Sequence, residues 1–107
     1  KDPKNARHMG KWAVGQDVNF WYLGADAMAH PEGCQYSFDT YLDGQPLKKD
    51  NVPGTHNLKG KDVLTWSFAH NWSEAPKQPA VVTLIRNKTC DGKKELDQVS
   101  CAAVLVQ

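Results

Sequence analysis

The chain has 107 residues, 40% of them hydrophobic and 23% charged, which suffices for one domain around one core and separates it from disordered chains. Thirteen Lys and Arg against twelve Asp and Glu leave a net charge of +1, so no nucleic-acid partner is expected. The longest apolar runs, such as residues 102–106, fall far short of the roughly 20 residues of a membrane helix, and no membrane insertion is expected.

Residues 1–10 are polar, contain Pro3 and lack apolar periodicity, which predicts a flexible leading segment ahead of a single all-β domain over 11–107. From Trp12 the pattern turns β-like. Trp12-Ala13-Val14 and Val18-Asn19-Phe20-Trp21-Tyr22-Leu23 are rich in aromatic and β-branched residues, broken by Gly15-Gln16-Asp17. Residues 25–30 suggest one helical turn before Pro31-Glu32-Gly33, too short for a core helix. The clearest strand is Cys34–Leu42, with Cys34, Tyr36, Phe38, Thr40 and Leu42 on one face and Gln35, Ser37 and Asp39 on the other. Asp43-Gly44 is a turn signal. Residues 48–61 read as a long polar connection. Residues 63–70 alternate through Leu64, Trp66 and Phe68, and 71–79 form a second loop with two prolines. Residues 80–86 and 100–106 are continuously apolar, as strands buried on both faces are. Six to seven short strands without a helix predict a small antiparallel sandwich or barrel. An immunoglobulin domain proper is not expected, because no Trp lies at the right distance from Cys34 and no Tyr two residues before Cys90.

Cys90 and Cys101 enclose a polar, Gly-containing stretch between two apolar runs, the pattern of a disulfide closing a hairpin. Such a bond contributes about 3 kcal/mol in the chain-entropy model. The competing reading is a pair of reduced buried thiols. Cys34 is then the odd cysteine, buried or pairing with another molecule, so the chain is a monomer or a Cys34-linked dimer. Two sequons, Asn71-Trp72-Ser73 and Asn87-Lys88-Thr89, are candidate glycosylation sites. With the disulfide they favour a secreted, extracellular protein. No signal-peptide core is visible, so a secreted protein is expected here as its mature chain.

No motif for catalysis or for a cofactor emerges. His8, His30, His56 and His70 with Met9, Met28 and Cys34 lack the spacing of a copper or zinc site, and no metal is expected. His56 and His70 with Arg86 are the candidate acid, base and phosphate-holding set of ribonuclease type. Asp39 and Asp43 are the nearest approach to a glycosidase pair. Neither set has a diagnostic spacing, and no enzyme is expected. Four tryptophans are many for this length. Trp66 alternates into an apolar face and reads as core, and Trp12 and Trp21 read as core or half-buried. Trp72, in the polar loop beside His70, is the candidate contact residue, with Lys59 and Lys61 in the polar connection as further partner-binding candidates. The competing reading makes Trp72 a lid folded back on the domain.

The C-terminal third, from Ala80-Val81-Val82-Thr83-Leu84-Ile85 through Cys90 and a Gly/Lys-containing loop to Cys101 and Ala102-Ala103-Val104-Leu105-Val106, resembles the end of the Alternaria major-allergen family. These are secreted fungal β-barrel proteins that include elicitors of plant defence. Trp12 followed by residues 20–23, and Cys34 before an alternating strand, also fit the family. Its second internal disulfide has no counterpart, because Cys34 lacks a partner a dozen residues on. The resemblance implies a small secreted protein of effector or elicitor type. The expected function is non-catalytic binding of a host protein or cell-surface glycan, with a carbohydrate-binding module and a small secreted ribonuclease-like enzyme as alternatives.

Overall fold

In the computed structural model, which describes residues 7–28, 33–51 and 53–107, three two-residue turns set the hairpins. Asp43-Gly44, Lys59-Gly60 and Asp91-Gly92 have φ of 48° and 84°, 52° and 87°, and 52° and 79°. Positive φ at both central residues is the geometry that matches strand twist, and glycine takes it without strain at the second position. Around these turns run β1 (Arg7–Trp12), β2 (Asp17–Met28), β3 (Cys34–Leu42), β4 (Gln45–Asn51), β5 (Gly54–Leu58), β6 (Lys61–Asn71), β7 (Ala80–Cys90) and β8 (Lys93–Val106). A five-stranded sheet has the order β1-β8-β7-β3-β4, and a three-stranded sheet the order β2-β6-β5.

The fold is all-β, as expected, but with eight strands among the described residues, and its two sheets form an open sandwich rather than a barrel. The extra strands come from polar sequence. Residues 48–61 are not a connection: they contain the end of β4, all of β5 and a tight turn. Both strands lie at sheet edges, where one flank of the backbone faces water and polar side chains are compatible with pairing. Residues 7–10 likewise belong to β1, which lies parallel to β8 from Arg7 opposite Ala102 to Trp12 opposite Val106. Backbone pairing with an apolar partner strand makes this strand without any periodicity of its own. The helical turn expected at 25–30 is absent as far as Met28, which ends β2; the rest of it lies outside the described residues.

The disulfide joins Cys34 to Cys90, not Cys90 to Cys101. The hairpin turn explains the difference. Asp91-Gly92 reverses the chain at once, so Cys90 faces Lys93, and Cys101 lies opposite Thr83, seven residues up β7. At about 3.3 Å per residue that is about 23 Å from Cys90, beyond any disulfide. Cys34 instead stands directly across β3–β7 from Cys90, with the Cα atoms 4.2 Å apart. Cys34 is therefore unavailable for an intermolecular link, and the free, half-buried thiol is Cys101.

Period-two alternation fills the space between the sheets. Val18 and Phe20 of β2 pack with Ala80, Val82 and Val104 around Trp72 in one cluster. Tyr36, Phe38 and Leu64 form a second, against which Tyr22, Trp66 and Leu84 pack, and Phe38 stacks on Trp66 at 5.6 Å. β7 is buried on both faces, as its apolar run predicts: Val82, Thr83, Ile85 and Arg86 are all buried.

Candidate functional site

The four predicted contact residues do not form one surface. Trp72 is 8% exposed and belongs to the core beside Val18 and Val106. His70 sits edge-on to it, ring centroids 4.5 Å apart. The Trp72 carbonyl accepts from the Gly15 amide at 2.9 Å, and its indole, packed into the first core cluster, is folded back on the domain as a lid. Lys59 and Lys61 are exposed, but at the β5–β6 turn. The nine residue steps of β6 from Lys61 to His70 put them about 30 Å apart.

The catalytic sets are dispersed as well. His56 lies on exposed β5, His70 stands against Trp72, and Arg86 is buried between the sheets. Arg86 contacts Tyr22, which pairs with Trp66, four residues along β6 from His70 and hence about 13 Å away. The chemistry of Arg86 is structural. Its Nε meets Asp97 Oδ2 at 2.6 Å, its Nη1 donates to Tyr22 Oη at 2.6 Å, and Tyr22 donates to Gln98 Oε1 at 2.6 Å. The guanidinium also lies 5.3 Å from the centre of the Tyr36 ring. A β-bulge makes this possible: Arg86 pairs with Gln98 and Asn87 with Leu96, leaving Asp97 as the extra residue, free to turn toward the guanidinium. Asp39 accepts from Asn87 and Asp43 Oδ1 from the Val81 amide. The two carboxylates stand four residues apart, about 13 Å along the strand, too far for a glycosidase pair.

Among the described residues, no three of His, Cys, Asp and Glu are grouped to hold a metal ion, and no helix is long and apolar enough to cross a membrane. His30 lies outside the described residues. A hollow of about 500 Å³ between the 76–79 loop and Val81 and Ala103 has one carboxylate and one ammonium at its rim. It has no aromatic group. A smaller one of about 130 Å³ lies between Lys88 and Asp97.

The sequons differ in their surroundings. Asn71 is exposed and its Nδ2 donates to the Gly15 carbonyl at 3.0 Å and to Asp17 Oδ1 at 2.8 Å. Asn87 is 6% exposed in the central strand, with Nδ2 donating to Asp39 Oδ2 at 3.1 Å.

The residue with the most available aromatic surface is Trp21, at 60% exposure, on the outer face of the three-stranded sheet. The run Phe-Trp-Tyr-Leu cannot all point inward on a strand, since side chains alternate. Phe20 takes the core with Phe68 stacked on it, and Trp21 faces out. His56 of β5 meets Trp21 edge to face, centroids 5.6 Å apart at 88°, and fixes the indole across the width of the sheet. Ser67 stands opposite Trp21, Thr65 opposite Leu23 and Ala69 opposite Asn19, so hydroxyl and amide groups border the indole. Alternation puts Trp21 on the face opposite to Phe20 and Tyr22, and the inward packing of those two turns Trp21 out. No protein family model, curated protein or solved structure matches this chain.

Proposed function

We propose that the chain is an extracellular, non-catalytic binding domain of effector or elicitor type, and that its contact surface is the outer face of β2, β6 and β5. One observation carries the reading: a tryptophan 60% exposed on the outer face of edge strand β2 and held by an edge-to-face histidine from β5. An aromatic ring that is both exposed and braced loses little further entropy on binding, which is what an anchor residue requires. The Cys34–Cys90 bond supports the extracellular compartment, because such bonds persist where conditions are oxidising. The resemblance of the C-terminal third to the Alternaria allergen family supports the effector-like role. Of the two sequons, Asn71 is the site proposed to carry a glycan. Asn71 is exposed at the end of β6, whereas at Asn87 a sugar has to leave from a side chain 6% exposed in the central strand.

The test is a binding isotherm of labelled protein on host cell-surface preparations, comparing wild type, Trp21→Ala and Leu96→Ala. Leu96 is 63% exposed on the other sheet and serves as the control for nonspecific hydrophobic attachment. Loss in Trp21→Ala alone supports the reading; equal binding by all three, or loss in Leu96→Ala alone, overturns it.

A further inference from the structure

The outer face of the three-stranded sheet has a composition that selects among partners. Residues directly opposite in register share a face. Trp21 with Ser67, Leu23 with Thr65, and Asn19 with Ala69 therefore stand on the same side, joined by Gly54 opposite Thr65 and by His56. Among the described residues, this central stretch contains no carboxylate, ammonium or guanidinium. Among the described side chains, charge stands at its two ends, in Asp17 opposite Asn71 and in Lys61 opposite Leu58.

We infer that the ligand of this face is a neutral oligosaccharide whose ring stacks on Trp21 while its hydroxyls bond to Asn19, Ser67, Thr65 and His56. The inference rests on the binding role assigned to this face above and names its ligand class. A sugar ring presents an apolar C–H face beside equatorial hydroxyls. Its recognition therefore needs an aromatic plane with donors and acceptors next to it, an arrangement this face supplies. A protein partner needs a contiguous desolvated apolar centre of several hundred Å². Here the exposed apolar groups Trp21, Leu23 and Leu58 are separated by polar ones, and the last two are only 36% and 37% exposed. A polyanion or polycation needs opposite charge, which the centre of the face lacks.

The experiment is calorimetric titration of unglycosylated protein with uncharged hexasaccharides (β-1,4-glucan, xylan, mannan and chitin fragments) and with a sulfated and a uronate oligosaccharide. It runs beside the cell-surface isotherm. Saturable binding to an uncharged oligomer is expected, weakened about tenfold or more by Trp21→Ala. Trp21→Phe should restore part of it, and His56→Ala should weaken it several-fold. Affinity should hold between about 0.05 and 0.5 M salt, because no charge pair is screened. Unfolding curves superimposable on wild type establish that Trp21→Ala is folded. If no uncharged oligomer binds while cell-surface binding still depends on Trp21, the glycan inference fails and the binding role stands with a protein partner. Binding to the charged oligomers alone, abolished by salt, also overturns the inference. Cell-surface binding indifferent to Trp21 overturns the binding role itself.

Discussion

Replacing Cys34 and Cys90 together by Ala removes a bond that closes a loop with a sequence separation of 56. In the chain-entropy model a loop of that size constrains the unfolded ensemble by about 4 kcal/mol. Small domains have a total stability of about 5–15 kcal/mol, so the loss is a large fraction of it. With a urea slope of about 2 kcal/mol per molar, the unfolding midpoint falls by about 2 M. Cys101→Ala is the companion. Its thiol is half-buried and lies 3.8 Å from Thr83 Oγ1, so its removal costs only about 1 kcal/mol of packing and weak polar contact. Urea unfolding followed by tryptophan fluorescence, with and without reductant, separates the two. Wild type under reductant should match the double variant, and Cys34→Ala alone should lose as much as the double. A large loss in Cys101→Ala with near-neutral Cys34→Ala refutes the reasoning, and with it the β7–β8 register set by Asp91-Gly92.

Asp97→Ala removes the carboxylate that meets Arg86 Nε between the sheets, and equilibrium unfolding should register a loss of about 3 kcal/mol, the low end for breaking such a pair because Asp97 is partly exposed. Trp72→Ala opens the end of the first core cluster and should cost about 3–5 kcal/mol in the same assay, while leaving cell-surface binding per folded molecule unchanged. Gly92→Val puts a β-branched side chain at φ 79° and should lower stability by about 1–2 kcal/mol or more, read as a drop in thermal midpoint. Secreted from a eukaryotic host, the protein should carry glycan on Asn71 and none on Asn87, which peptide mass mapping after deglycosylation in heavy-oxygen water reads directly.

How far the sequence reveals this molecule depends on whether a feature is local. The alternation from Cys34 to Leu42 is a property of nine residues, and the strand stands where it predicts. The two apolar runs near the C-terminus become the long paired strands β7 and β8 for the same reason. The disulfide depends instead on which residues face each other across β3 and β7, a long-range register that spacing along the chain does not encode. A ten-residue gap between Cys90 and Cys101 looks like a loop until Asp91-Gly92 is recognised as the whole turn and Lys93 to Val99 as strand. Polar edge strands are invisible to hydrophobic periodicity, which is why β1, β4 and β5 read as loops. The exchange of roles between two tryptophans follows from the same gap. Trp72 sits in a polar stretch but is drawn into the core by the closure of the sandwich end. Trp21 sits in an apolar run and is turned outward by the pairing of Phe20 and Tyr22 with the interior. Reading 18–23 strictly by alternation marks either Trp21 or its neighbours as exposed; tertiary contacts decide which.

The central claim is that the face bearing Trp21 and His56 is the one that meets the partner. Hydroxyl-radical footprinting of the wild-type protein, free and bound to host cell surfaces, tests it without altering the chain. Oxidation of Trp21 and His56 should fall on binding while that of Leu96 and Val99, exposed on the other sheet, stays the same. Unchanged reactivity of Trp21 with protection of Leu96 and Val99 would contradict it and move the contact surface to the five-stranded sheet.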